Sequence, residues 1–430
     1  MLGHPADRAR AAFLSRFGAE ATCVGIAPGR VELLGNHTDY NNGLVLAAAI
    51  DRLTAVAGRP AGGREAWLYS EPFDDLYGFP IDAPGPEPTG SWGRYVRGVC
   101  LAMADRLGPI RSGFEAAVAG DVPLEAGLSS SASLEAAVAL FLLGAGLLGQ
   151  EQEEAAVEVD DRMALAHTLR KAENQYVGVA SGLLDQFCAL FGKTDHALML
   201  DCASFTFERL PLGEPAPAIV VCDSRTSRKL ADGMYNRRRE ECDRIVSYFR
   251  EHPPASSRSD PYRPPPPVES LRDVTLEDLN AYRERLDPVG FRRARHVLTE
   301  NDRVRQGVEA LRRGDVVELG RLMSASHASS RDDFENSSKA LDVLIESAEA
   351  APGFLGGKLS GAGWAGCTVN LVRADRAEEF AAAVVRDYSR RTGAEARAYV
   401  CRAADGASCI RGAEAPGASS TVRSCGRDGS

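Results

Sequence analysis

The chain has 430 residues, of which 44% are hydrophobic and 26% charged. That length accommodates two domains with real cores, and that composition excludes wholesale disorder, collagen and coiled coil. A net charge of −10 argues against nucleic acid as the main partner, while leaving room for a local anion site.

Residues 1–18 read as a short amphipathic helix without the apolar core of a secretory signal. A strand over 22–27 (TCVGIA) runs into the polar, glycine-rich segment 28–43, and short apolar runs at 44–50, 54–58 and 66–70 read as strands. A helix over 92–107 and a strand over 113–119 precede the loop GDVPLEAGLSSSAS (120–133). The apolar run 136–148 falls short of the ~20 residues that span a bilayer, so it reads as a buried helix and no membrane partner is expected. Residues 160–178 have helical periodicity.

In the second half, AIVVCDS (218–224) reads as a buried strand and 233–250 as a helix. The segment 252–268 is rich in proline, which lacks an amide donor, so it reads as a surface insertion. Residues 275–350 are mostly helical; strands at 368–372 and 396–401 bracket a helix at 375–391. Residues 406–430 lack an apolar pattern and read as a disordered tail. Strands and helices mix without βαβ alternation, which predicts an α+β fold. Ten cysteines without a C-x-x-C pair predict reduced thiols in a cytoplasmic protein, and seven scattered histidines give no zinc motif.

Four segments carry chemistry. GLSSSAS (127–133) stands ahead of an apolar helix, where inward amides and the helix dipole favour a phosphate. No lysine follows it, so it is not a P-loop, and taken alone it is equally an ordinary serine cap. GRVELLGNHTDYNNG (29–43) offers a polyol many donors and acceptors, or is a solvated turn. In ASGLLDQFCALFG (180–192), Asp185 lies among Leu183, Leu184 and Phe187; a carboxylate there is catalytic or sits in a structural ion pair. GGKLSGAGWAGCTVNLV (356–372) is a glycine-rich turn before a strand, able to approach a phosphate or nucleoside, or simply a tight hairpin.

In this order and at these separations, the four segments resemble the galactokinase branch of the GHMP small-molecule kinases. The family signature GRVNLIGEHTDYNGG is similar to GRVELLGNHTDYNNG, PxxxGLSSSA to PLEAGLSSSA (123–132), and TGAGFGGC to SGAGWAGC (360–367). GLLDQF (182–187), MYNRRREECDRI (234–245) and SWGRYVRGV (91–99) resemble further stretches of the branch. The resemblance covers about residues 8–405. It implies two α+β domains, 8–205 and 206–405, with the active site in the cleft between them.

The resemblance further implies an ATP-dependent sugar 1-kinase that uses Mg²⁺, with D-galactose as the leading substrate, working as a monomer or weak dimer. Asp185 would stand beside the anomeric hydroxyl with Arg30 paired to it. Asn36, His37, Asp39, Gly182 and Tyr235 would line the sugar. Trp92, Gly127, Leu128, Ser129, Ser130 and Ser131 would hold ATP, and Ser131 and Glu173 the metal. Arg30 would favour the charged form of Asp185. The chain departs from the branch at three places: Asn36 stands where the branch has Glu, FENSSKALD (334–342) where it has VSCPELD, and the insertion 252–268 is extra. An amide at 36 is expected to relax discrimination at C6, admitting galacturonate or arabinose. A reading of another class is a non-catalytic sugar and nucleotide sensor, which the intact serine loop disfavours.

Overall fold

The computed structural model describes residues 3–82, 91–124, 126–148, 159–179, 181–226, 233–253 and 267–412. In chain order the elements are α1 (Pro5–Phe17), β1 (Cys23–Leu34), β2 (Leu44–Pro60), β3 (Glu65–Ser70), β4 (Asp75–Pro80), α2 (Gly93–Leu107), β5 (Phe114–Gly120), α3 (Ser130–Gly144) and α4 (Val159–Lys171). There follow α5 (Leu184–Phe191), β6 (His196–Asp201), β7 (Phe207–Pro211), β8 (Ala218–Asp223), α6 (Met234–Glu251), α7 (Leu276–Ala281), α8 (Pro288–Arg312), α9 (Val316–Ser329) and α10 (Lys339–Glu349). The last are β9 (Phe354–Leu359), β10 (Cys367–Val372), α11 (Ala377–Thr392), β11 (Arg397–Cys401) and β12 (Ser408–Arg411).

Two sheets organise the molecule, and the α+β expectation holds. The first runs β12-β1-β2-β5-β3-β4, with β6 and β7 continuing from the other stretch of β2. The second runs β11-β8-β10-β9 and is antiparallel throughout. The first sheet, helices α2 to α5 and Phe114, Phe141 and Phe187 enclose the largest apolar core. A second core joins the sheets: Leu33, Leu34 and Leu46 of the first meet Val304 and Val308 of α8, Met323 of α9 and Val221 and Val369 of the second. The polar cleft described below opens beside this seam.

The position of α3 follows from β1. The helix is buried almost all round, as its unbroken apolar run requires. A Cβ on Gly25 would stand 2.1 Å from the carbonyl oxygen of Ala137, so glycine there lets the helix lie on the strand. The Ser133 hydroxyl donates to the carbonyl of Ala27 at 2.8 Å, pinning the first turn beside the strand that carries Arg30.

The structure corrects three expectations. The runs 44–50 and 54–58 form one strand, β2, and the polar pair Asp51–Arg52 between them falls at a bulge opposite Pro28 and Gly29. The tail begins later than 406: β12 pairs with β1, Ala407 is buried, and the Cys409 thiol lies 3.1 Å from that of Cys23. Backbone pairing holds this strand, so no apolar pattern was needed to form it. Residues 207–211 extend the first sheet through β6, beyond the expected boundary at 205. Most of the proline-rich insertion and residues 413–430 lie outside the described residues.

Candidate active site

A cavity of about 590 Å³ is walled by β1 and the loop after it, the N-terminus of α3, the segments before and within α5, the start of α6 and the turn between β9 and β10. It brings together Arg30, Asn36, His37, Asp39, Gly127, Leu128, Ser129, Ser130, Ser131, Glu173, Gly182, Asp185 and Tyr235, all expected from the sequence. Trp92 is not among its lining residues; the indole donates to Asp75 at 2.9 Å and packs edge-on against Tyr77.

At the cavity's centre Arg30 binds Asp185, with Nε 2.8 Å and Nη2 2.6 Å from Oδ1. Nη1 donates to the carbonyl of Gly127 at 2.7 Å, so one guanidinium holds the carboxylate and the serine loop together. Burial alone would lower the pKa of Arg30, but the carboxylates of Asp185 and Glu32 more than offset this and raise it. The other carboxylate oxygen, Oδ2, accepts from the Ser129 hydroxyl at 2.5 Å. Ser129 has φ +57°, a left-handed turn that ends the loop and starts α3. The amides of Ser130 and Ser131 follow in the first turn of α3, where a helix N-terminus attracts an anion.

Glu173 sits in a π-helical turn (Ala172–Val177) that continues α4 and lowers its carboxylate onto the serine loop. Its Oε1 lies 3.3 Å from the Ser131 hydroxyl, and its Oε2 accepts from Ser181 and from Gln186 at 2.9 Å. Gln186 also donates to the buried Glu135 at 3.1 Å. Burial, with the charge of Asp185 added, raises the pKa of Glu173; burial and Glu173 raise that of Glu135 well above the usual range. Two hard oxygens 3.3 Å apart beside an anion cradle are a donor set that would suit Mg²⁺. Among the described residues, no group of three or more His, Cys, Asp and Glu forms a closed metal cage.

The opposite wall is built by the signature loop. His37 has φ +62° and is buried; one ring nitrogen lies 2.9 Å from the Tyr40 hydroxyl and the other 3.1 Å from the carbonyl of Ala362. Burial lowers its pKa to about 3, so the ring is neutral. It packs among Tyr40, Tyr235 and Phe334. Burial and the nearby Glu32 raise the pKa of Asp39 to about 6. A Cβ on Gly182 would stand 2.1 Å from Oδ2 of Asp39, so glycine at 182 leaves the space that this carboxylate fills.

Asn36 lines the cavity as expected, but its amide is already engaged by the protein. Its amide donates to Glu32 at 3.2 Å and to the carbonyl of Gly361 at 2.8 Å, and its oxygen accepts from Asn336 at 2.9 Å. Both amide hydrogens are spent on protein partners, which leaves no donor for a C6 carboxylate and removes the reason for expecting galacturonate. The glycine-rich turn likewise gives its Gly361 and Ala362 carbonyls to Asn36 and His37, closing this wall.

Two supporting groups carried no sequence signal. Glu300 of α8, fully buried, accepts from the amides of Gly35 and Asn36 and from Ser326, and pairs with Arg303 at 2.6 Å. Lys358, also fully buried, pairs with Glu32 at 2.7 Å. An isolated Glu in a helix, or a Lys in a strand, looks like surface until the partner is known.

The comparisons agree with this geometry. Residues 11–60 match the galactokinase galactose-binding signature, 94–193 the GHMP kinases N-terminal domain and 308–390 the GHMP kinases C-terminal domain. A galactokinase of Roseiflexus sp. (strain RS-1) is 41% identical over 400 residues, spanning 92% of this chain and 95% of that protein. The chain belongs to the galactokinase family of GHMP kinases. The Homo sapiens galactokinase is 38% identical over 409 residues, covering 94% of this chain and 96% of the relative. The crystal structure of Lactococcus lactis galactokinase complexed with galactose superposes with a TM-score of 0.82 at 32% identity, over 93% of this chain and 98% of that one. The chain is thus a sugar kinase of two-domain GHMP architecture. Among the described residues, no helix is long and apolar enough to cross a membrane.

Proposed function

We propose that this kinase transfers the γ-phosphoryl group of ATP to the anomeric hydroxyl of D-galactose, giving galactose 1-phosphate and ADP. The observation that carries the reading is the contact of Ser129 with Asp185, held by Arg30. It joins an anion cradle to a carboxylate at one point, where a phosphoryl donor and a hydroxyl acceptor must meet.

The sugar lies between Asp185 and the wall of His37, Asp39 and Tyr235, and the triphosphate lies along Gly127–Ser131. The anomeric oxygen attacks the γ-phosphorus, the bond to ADP breaks, and the hydroxyl proton passes to Asp185. Arg30 fixes the carboxylate's orientation. Such transfer asks the protein for alignment and charge stabilisation more than covalent chemistry. Ser131 and Glu173 would hold Mg²⁺, which neutralises phosphate charge when bound. The nine described cysteines are free thiols, which suits the cytoplasm. The acidic net charge suits small-molecule substrates rather than nucleic acid.

The test is ADP release by the purified protein with ATP, Mg²⁺ and a panel of monosaccharides, with the phosphorylated carbon assigned by NMR. Galactose is expected to lead the panel, with phosphate on C1. A protein that releases ADP with none of these sugars, or that phosphorylates another carbon, would refute the assignment.

A further inference from the structure

One carboxylate of the cavity has no part in the mechanism above. Glu32 lies near the C-terminal end of β1, is 6% exposed, and lines the cavity. Its Oε1 accepts from Nζ of Lys358 at 2.7 Å and from Nδ2 of Asn36 at 3.2 Å. Its Oε2 takes no protein hydrogen bond among the described residues, yet it is not among the polar atoms sealed away without a partner. The oxygen therefore faces the cavity as an unfilled acceptor.

The placement is specific. Alternate residues of a strand share a face, so Glu32 stands about 7 Å along β1 from Arg30, a span that a single hexose ring bridges. Arg30 marks the end where Asp185 waits; Glu32 marks the other. Burying an acid costs free energy unless it is paired, and here a fully buried lysine does the pairing from behind. Lys358 and Asn36 fix the carboxylate by one oxygen and leave the other presented. An acceptor of this kind suits a hydroxyl and opposes an anion. Against the signature GRVNLIGEHTDYNGG, the acid and the amide have exchanged places at positions 32 and 36.

We propose that Glu32 is the specificity-determining residue of the sugar site, accepting a hydrogen bond from the substrate hydroxyl farthest from Asp185 and excluding sugar acids. The proposal rests on the reading of the cavity as a galactose site.

The test measures kcat/KM for galactose, 6-deoxygalactose and galacturonate at saturating ATP, in the wild type and in Glu32→Gln. The wild type is expected to prefer galactose to galacturonate by a factor of about 100 or more. Glu32→Gln should lower kcat/KM for galactose about tenfold, mainly through KM, and shrink both preferences for galactose by a similar factor, because a charge-assisted hydrogen bond is replaced by a neutral one. Glu32→Gln with Lys358→Met removes the pair together; it keeps the fold if the lone lysine harms the single variant, and should show the same loss of discrimination. Galacturonate turned over within tenfold of galactose by the wild type overturns the proposal without any variant. Unchanged preferences in a folded, active variant also overturn it. A wild type inert on every sugar overturns instead the galactose reading beneath it.

Discussion

Gly182→Ala tests whether the cavity wall is as tightly made as its geometry says. A methyl at this position would stand 2.1 Å from Oδ2 of Asp39 and 3.0 Å from its Cγ. The three nearest atoms all belong to Asp39, and Gly182 is not among the glycines with positive φ, so alanine should leave the backbone unstrained. The carboxylate oxygen must instead move by about 1.3 Å to reach ordinary contact at 3.4 Å. A misplacement of about 1 Å in a positioning group costs about 100-fold in rate, or about 2.7 kcal/mol. The assay is kcat/KM for galactose at saturating ATP, in Gly182→Ala, Asp39→Ala and the double variant. Each single variant is expected to lose about 100-fold with its melting temperature unchanged. The double variant should be no worse than Asp39→Ala, because the methyl then has nothing left to displace. Activity of Gly182→Ala within threefold of the wild type, or a double variant with the product of both losses, would refute the assigned contact.

Asp185→Asn should keep ATP binding and lose at least tenfold, and by the usual measure of a proton acceptor about 100-fold or more, in single-turnover transfer; a smaller loss removes Asp185 from that role. Ser131→Ala and Glu173→Gln should each raise the Mg²⁺ concentration needed for half-maximal activity, read from metal titrations of initial rate, and wild-type titrations in both variants would undo the metal assignment. Deleting residues 408–430 should lower the melting temperature, because it removes β12 from the edge of the first sheet and uncovers Cys23; an unchanged transition would show that this strand adds nothing. Burial would raise the pKa of Glu300, yet Arg303, His296, Lys358 and the Ser326 hydroxyl together outweigh it and the carboxyl falls to about 2. Its native value lies below the unfolded one of about 4.3, so it stabilises the fold above that pH and ceases to as pH falls toward 2. Glu300→Gln should therefore cost about 3–5 kcal/mol in neutral denaturant melts, and the difference from the wild type should fade in acid.

Much of the site was legible because its chemistry is local. Gly127 to Ser131 announce an anion cradle by composition alone, and Asp185 is conspicuous for standing among leucines. What joins these segments was legible only through the family resemblance, since Arg30 and Asp185 lie 155 positions apart and meet through the packing of α3 and α5 on β1. Glu32 was passed over for a related reason. Within the polar, glycine-rich segment 28–43 an acid reads as part of a solvated turn. Here that stretch continues β1 as far as Leu34 with both faces covered, so every residue of the strand is buried. The short β4, β6, β7 and β9 were missed because their residues alternate poorly and their pairing is set by distant partners. Asn36 was found but misjudged: sequence shows which donors a residue owns, and only the fold shows that Glu32 and Gly361 have already taken them.

The charges around the cavity explain why a substrate kinase needs this particular company of residues. Glu32, Asp39, Glu173 and Asp185 line one space, and among the described lining residues only Arg30 brings a positive charge. The raised pKa values of Asp39 and Glu173 are the signature of burial in that crowded negative field. A neutral sugar tolerates such walls and exploits them, because each carboxylate is a strong acceptor for a hydroxyl. On the proposed reading a triphosphate does not, and it would lie along the N-terminus of α3, where the helix dipole favours an anion. There Ser131 and Glu173 point at the same spot, and a divalent cation between them would reverse the local field that raises Glu173. On the proposed reading, the same acidity that favours a polyol in one half of the cavity would make the metal a condition for binding the nucleotide in the other.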